Sequence, residues 1–183
     1  MPHWPIMRIF LSRMYSAPIA FSVDQLVEAT PWGADNALHA WNPLGKLPVL
    51  VLDDGTALYD SRVIVEYLDS VTPNNRLLPA SGRERFRIKR WEALADGVLD
   101  AAVAAFLETR RPEKEQSAAA IERQREKIDR ALEMMSEELG EQPWCTDNAF
   151  SLADVAVGAA HMAGADGLAA MLEARGFTVA RVQ

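Results

Sequence analysis

The chain has 183 residues, enough for one domain or two small ones, and its 49% hydrophobic and 25% charged residues are typical of a globular protein. The net charge of −7 argues against general binding to nucleic acid or to a bilayer surface, because phosphate binding needs a basic face. With one cysteine, three scattered histidines and no apolar run of the ~18 residues that a membrane span needs, we expect no disulfide, no metal site and a reducing, cytoplasmic location.

The first half of the chain, up to about Asn75, carries short β-rich runs, turns and most of the prolines, which indicates a small α/β domain. Residues 21–29 are predicted to form a strand, and residues 33–41 a short helix or a loop. Further along, the strand-like runs 49–52 and 56–59 are joined by Asp53-Asp54-Gly55. A three-residue connection that ends in glycine predicts a hairpin, because glycine accepts a positive φ.

A helix is predicted directly after this hairpin, and Asp60-Ser61 stands at its start. Apolar residues then recur at three- and four-residue steps, which places them on one helical face. The residues expected on that face are Val63, Ile64, Tyr67, Leu68 and Val71.

The second half of the chain is long, charged and helix-periodic. Residues 72–82, with two prolines and no period, are predicted to be a linker. One long helix is predicted at residues 83–111, where Pro112 ends it, and a second at residues 113–139, with Gly140 just past its end. The residues expected to face inward are Ile88, Trp91, Leu94, Ala95, Val98, Ala102 and Phe106 in the first helix, and Ile121, Ile128, Leu132, Met135 and Leu139 in the second.

A third helix is predicted from the run FSLADVAVGAAHM. Ser151 is the expected cap, Asp154 stands three residues later, and Phe150 is placed to pack on Val155, which together form a variant of the capping box with a hydrophobic staple. Long helices with short connections predict an antiparallel bundle. Cys145, with no base or basic residue near it in the sequence, is interpreted as a packing residue.

A small α/β unit followed by a helical bundle, with Pro48 before the hairpin and Asp60-Ser61 after it, resembles the glutathione S-transferase family. The runs NPLGKLPVL, LYDSRVIVEYL and FSLADVAVG match motifs of that family in the right order, and the resemblance extends over residues 27–157. It implies a thioredoxin-like domain at residues 1–75 and an all-helical domain at residues 83–183, shortened at its carboxyl end.

The resemblance also implies how glutathione binds. A cis bond before Pro48 is expected to turn the N–H and C=O of Leu47 outward, where the extended tripeptide pairs with them as an added strand. A substrate carboxylate fits the free amides of the helix start, with the Ser61 hydroxyl as a further donor. Asp60 is expected to receive the amine of glutathione, and Lys46 is a candidate for its other carboxylate.

In this family the thiol is activated by a Ser, Tyr or Cys that follows the first strand. Two registers of the amino terminus remain open. If residues 7–17 are the first helix, no such residue stands at residues 5–8; if residues 7–12 are the strand, Tyr15 or Ser16 takes the role. Ser12, Tyr15 and Ser16 are therefore the weak candidates, and the thiol-activating residue is not identified.

The leading hypothesis is a cytoplasmic, homodimeric transferase that presents the thiolate of its co-substrate glutathione to a small hydrophobic electrophile between the domains, against the helix that starts at Gly82. Asp96 and Asp100 of that helix either reach a bound amine or are simply solvated. The main alternative is a non-catalytic binding protein of the same fold that lacks the thiol-activating residue. A third is a helical interaction bundle with an unrelated α/β appendage.

Overall fold

The structure is a computed structural model that describes residues 37–72, 76–146 and 149–163. The chain divides into two compact units, Met1–Arg76 and Leu77–Gln183. The strand predicted at residues 21–29 lies outside the described residues. In the stretch predicted as a short helix or a loop, a 3-10 helix occupies Ala37–Ala40.

The predicted hairpin is confirmed, with strands shorter than expected. Strands β1 (Leu50–Val51) and β2 (Ala57–Leu58) pair antiparallel, with Leu50 opposite Leu58. In the turn, the N–H of Gly55 donates to Leu52 O over 2.8 Å, and the φ of Gly55 is 83°. Asp54 accepts from the N–H of Thr56 over 2.8 Å, and this bond holds the pKa of Asp54 below its ordinary value. The turn is thus fixed by one glycine and one carboxylate.

Helix α1 (Ser61–Val71) follows the hairpin, with Asp60 as its N-cap. Ile64 and Leu68 are buried as predicted, and Asp69 is buried with them. Val63 and Val71, predicted on the same helical face, are 46% and 47% exposed. The apolar stripe therefore covers more of the helix circumference than the part that the amino-terminal unit buries.

Helix α2 (Arg83–Thr109) is the centre of the second unit and packs against both later helices, α3 (Ala118–Leu139) and α4 (Leu152–Ala163). Most of its predicted inward residues are buried or half-buried, but Phe106 is 57% exposed, with the Arg110 guanidinium 5.8 Å from its ring centroid. The prediction for Phe106 was wrong because periodicity does not reveal where a partner helix ends. The buried core residues of these helices are Ile88, Trp91, Ala95, Val98, Ala101, Ile128, Leu132, Met135, Leu152, Ala153, Val155 and Ala160.

The start of the second long helix was also predicted wrongly. Instead of one helix at residues 113–139, a 3-10 turn at Glu113–Glu115 precedes α3. Ser117 separates the 3-10 turn from α3. Its Oγ accepts from the N–H of Ala120 over 3.2 Å, and its own N–H donates to Glu108 Oε1 over 2.8 Å. A serine that accepts from the third amide beyond it favours a helix start rather than a helix interior. Gly140 ends α3 with a φ of 52°, as predicted.

The predicted capping box of α4 is confirmed. The Oδ2 of Asp154 accepts from the N–H of Ser151 over 2.8 Å and from its hydroxyl over 3.0 Å, and Ser151 Oγ accepts from the N–H of Ala153 over 3.2 Å. The other carboxylate oxygen of Asp154 accepts from the N–H of Cys145 over 2.9 Å. One side chain therefore ties the α3–α4 connection to the start of α4.

The connection between α3 and α4 buries Cys145, and burial, followed by the charge of Asp154, raises the pKa of its thiol to about 12. A thiol with this pKa is a poor nucleophile at neutral pH, which agrees with a packing role. Phe150 was predicted to pack on Val155. Its ring lies edge-to-face with that of Trp144, with 5.3 Å between the ring centroids.

Candidate functional site

The loop at residues 42–48 is built around one buried amide side chain, that of Asn42. Its Nδ2 donates to the carbonyl of Lys46 over 2.9 Å, and its Oδ1 accepts from the N–H of Leu44 over 3.0 Å. Its backbone carbonyl accepts from the N–H of Gly45 over 2.8 Å, where the φ of Gly45 is 60°. Asn42 itself is only 2% exposed. The buried Asn42 therefore fixes the conformation of the loop. The loop ends with Lys46, Leu47 and Pro48.

Leu47 presents its backbone at the end of this loop. In the described ranges its N–H and C=O have no hydrogen-bond partner, and the residue is 46% exposed. The peptide bond between Leu47 and Pro48 is cis, and so is that between Tyr59 and Asp60. An N–H and a C=O without partners on one residue can form both backbone bonds to an extended peptide.

The start of α1 contributes the second group of polar atoms. Asp60 caps the helix through Oδ1, which accepts from the N–H of Arg62 over 3.1 Å, and its Oδ2 pairs with the Arg62 guanidinium over 3.1 Å. The side-chain hydrogen bond from Arg62, more than any other contribution, keeps the pKa of Asp60 below its ordinary value. The carboxylate that was predicted to receive an amine is therefore already engaged by Arg62.

Ser61, the first residue of α1, is exposed, and neither its hydroxyl nor its N–H has a partner in the part of the chain that the structure describes. Amides in the first turn of a helix have no acceptor within the helix, and that end of the helix carries positive potential. The arrangement is suited to an anionic oxygen.

The hairpin brings these two groups to the same end. β1 begins two residues after Pro48, and β2 ends two residues before Asp60, so the antiparallel pairing places the loop and the start of α1 side by side. The turn at residues 53–55 lies at the opposite end. The structure thus brings together the five residues predicted to bind glutathione, which are Lys46, Leu47, Pro48, Asp60 and Ser61.

Sequence reasoning missed Asn42. An asparagine before a proline is a common turn residue whose side chain bonds to the backbone two residues on, and that signal was available.

The candidates Ser12, Tyr15 and Ser16 lie outside the described residues. Within the described ranges, no group of three His, Cys, Asp or Glu residues is placed to hold a metal ion. The helices of those same ranges include none that is long and apolar enough to cross a membrane.

Two family models match this sequence. One, described as the glutathione S-transferase N-terminal domain, matches residues 17–71, and the other, the glutathione S-transferase C-terminal domain, matches residues 118–160. The chain is 38% identical over 136 residues to the GST-like protein YibF of Escherichia coli K12, a match that covers 74% of this chain and 67% of the relative. For the glutathione S-transferase GstA of Escherichia coli O157:H7, the identity is 28% over 134 residues, covering 73% and 63%. The chain thus spans about two thirds of the length of these curated relatives.

Solved structures give the same result. A glutathione S-transferase from Methylobacillus flagellatus with GSH bound is 45% identical, with a TM-score of 0.76 over 85% of this chain and 74% of the other. One from Methylobacterium radiotolerans, in complex with glutathione sulfonate, is 33% identical, with a TM-score of 0.73 over 82% and 74%.

The two family models cover the hairpin and α1, then α3 and most of α4, in the order found here. The predicted fold class, a thioredoxin-like domain followed by an all-helical domain, is confirmed. The chain belongs to the glutathione S-transferase family.

Proposed function

We propose that this protein binds glutathione in an extended conformation along Leu47. The observation that carries the proposal is the N–H and C=O of Leu47, which have no hydrogen-bond partner in the described ranges, on a residue that is 46% exposed. The central residue of an extended tripeptide pairs with both groups as an added strand would. Support comes from the relatives of known structure that contain glutathione or glutathione sulfonate.

The γ-glutamyl carboxylate of glutathione binds at the start of α1. The N–H and the hydroxyl of Ser61 donate to it, and the positive end of the helix favours its charge. The γ-glutamyl amine approaches Asp60, where Arg62 is the competing cation. Lys46, which is exposed beside Leu47, pairs with the glycine carboxylate at the other end of the tripeptide.

The chemistry we propose is transfer of the glutathione thiolate to a small hydrophobic electrophile. A free thiol has a pKa of ~8.5, and lowering it by two units takes about 2.7 kcal/mol of preferential stabilisation of the anion. A hydroxyl donor close to the sulfur supplies that stabilisation, and Ser12, Tyr15 and Ser16 stay its candidates. The homodimer and the cytoplasmic location belong to the same proposal, and sedimentation equilibrium tests the first of them.

A second function is favoured by one observation on the sequence. The amino terminus has no Ser-Pro-aromatic string of the kind that carries the thiol-activating residue in this family. A glutathione-binding protein of the same fold without transferase activity is therefore the alternative. Glutathione as a ligand is common to the two functions, whereas its use as a co-substrate belongs only to the first.

The test combines binding with turnover. Titration calorimetry of the whole chain with glutathione measures affinity, and a conjugation assay with a small aromatic electrophile measures transfer. Binding without transfer supports the alternative function, and the absence of binding refutes both.

The variant Ser61→Ala tests the helix-start site. Loss of a hydrogen bond to a charged group costs about 1.5 kcal/mol, so the affinity for glutathione should fall roughly tenfold. Alanine is the better helix former, so the fold is not weakened by this change. Ser70→Ala is the matched control, because Ser70 is near the other end of α1 and its hydroxyl donates to Tyr67 O over 2.6 Å. Unchanged affinity in Ser61→Ala would count against this site.

A further inference from the structure

We infer that Asn42 is a positioning residue, which sets the direction of the Leu47 N–H that receives the ligand. The inference rests on the proposed function and deepens it, because it names the group that holds the binding backbone in place. Asn42 does not itself contact glutathione in this arrangement. It acts through the peptide unit that joins Lys46 to Leu47.

The side chain of Asn42 uses both ends of its amide. The Nδ2 group donates to Lys46 O over 2.9 Å, and Oδ1 accepts from the N–H of Leu44 over 3.0 Å. These two partners fix which end of the amide is the donor, since one is an acceptor and the other a donor. The backbone is fixed as well, because the N–H of Asn42 donates to Leu38 O over 2.7 Å. Because Asn42 is only 2% exposed, water cannot easily replace these bonds.

Peptide geometry connects this bond to the binding group. The C=O of Lys46 and the N–H of Leu47 belong to one planar unit, and the Lys46–Leu47 bond is not among the cis bonds. In a trans peptide the C=O and N–H point in opposite directions. The bond from Asn42 Nδ2 to Lys46 O therefore turns the Leu47 N–H away from Asn42, where it has no partner within the described residues. Rotation of this peptide would break the bond from Asn42, so the Leu47 N–H keeps this direction in the absence of a ligand.

A residue that only stabilises the loop would affect binding in proportion to stability, so a matched control is needed. Asp54 provides it, because its side chain also accepts from a nearby backbone N–H, that of Thr56. Asp54 lies in the turn of the hairpin that follows this loop, at the end opposite the candidate site. Asp54→Ala thus removes a bond between a side chain and the backbone at an exposed position, without touching the peptide that carries the Leu47 N–H.

The experiment uses the whole chain with three substitutions, Asn42→Ala, Asn42→Asp and Asp54→Ala. Asn42→Asp keeps an acceptor for Leu44 and removes the donor to Lys46 O, but it also buries a carboxylate, and the urea midpoint reports the effect of that on stability. We measure the dissociation constant for glutathione, the urea unfolding midpoint, and the ¹H–¹⁵N resonance of the Leu47 amide without ligand.

Both Asn42 variants should weaken glutathione binding about tenfold or more, as expected for a misdirected donor, and should shift the Leu47 amide resonance. Asp54→Ala should leave the affinity within about twofold, since it leaves the donor in place. Wild-type affinity together with an unmoved Leu47 resonance in both Asn42 variants would overturn the inference. So would equal losses in Asp54→Ala and Asn42→Ala, or the loss of cooperative unfolding in both Asn42 variants, because the role would then be structural.

A failure of the proposed function is distinguishable from a failure of this inference. If the wild-type chain does not bind glutathione, the proposed function is refuted. The Leu47 resonance in Asn42→Asp still decides whether Asn42 orients that amide, because this measurement needs no ligand.

Discussion

The carboxylate of Asp154 joins two segments of the helical unit, and its replacement by asparagine is the sharpest test of that unit. One oxygen accepts from Ser151, through both its N–H and its hydroxyl, and the other accepts from the N–H of Cys145. An asparagine at this position has only one oxygen. Whichever way the amide turns, an NH₂ group faces one of the two segments, so a donor meets a donor.

The expected loss follows from these contacts. A hydrogen bond to a charged acceptor contributes about 1.5–3 kcal/mol, and loss of a helix cap costs about 0.5–2 kcal/mol. Asp154 is half-buried, so water partly compensates, and we expect Asp154→Asn to lower the free energy of unfolding by about 2–3 kcal/mol. For a chain of this length that corresponds to a fall in Tm of roughly 4–12 °C.

Urea unfolding followed by far-UV circular dichroism measures this loss, because most of the described helix lies in α2, α3 and α4. Ser117→Ala is the control: Ser117 caps α3 through a single neutral bond of 3.2 Å at an exposed position. It should cost about 1 kcal/mol or less. If Asp154→Asn costs no more than Ser117→Ala, the carboxylate does not hold the two segments as described.

Two further predictions concern titrating groups. The pKa of the Cys145 thiol is raised to about 12, so about one thiol in ten thousand is ionised at pH 8. In urea, the rate of labelling by iodoacetamide at pH 8 should therefore equal the rate at which the protein unfolds. Rapid labelling of the folded chain would contradict this. The pKa of Asp60 lies below its ordinary value of 3.8, so its charge stabilises the fold above that pH and the benefit is lost as pH falls through the folded-state pKa. Asp60→Asn, which keeps the cap, should therefore show a small, salt-sensitive loss of stability at pH 7 that disappears in acid, and an undiminished difference at low pH would refute the assignment.

Much of the fold was predictable because local signals agreed with tertiary packing. The hairpin followed from glycine in its turn, and the start of α4 followed from Ser151 and Asp154, whose bonds are local. The five predicted binding residues, from Lys46 to Ser61, are brought to one end of the hairpin, although their role in binding stays a proposal.

The errors arose where a pattern allowed two outcomes. Ser117 was compatible with a helix interior until its side chain was seen to accept from the N–H of Ala120. Phe106 fitted the apolar stripe of α2, but burial needs a neighbour at that height of the bundle, which the spacing cannot report. The bond of Asn42 to the N–H of Leu44 could have been predicted from the Asn-Pro turn, but its burial and its second partner, Lys46 O, depend on the tertiary structure.

The polarity of the hairpin has a consequence for how the chain tolerates changes in length. Its turn at residues 53–55 is exposed and lies at the end opposite Leu47 and Ser61, so extra residues there lengthen a surface loop at little entropic cost. The segment between Asn42 and Pro48 has no such freedom, since one inserted residue would change the spacing that the Asn42 side chain bridges. A reporter group or an affinity tag therefore belongs at the turn, where an insertion leaves the opposite end undisturbed.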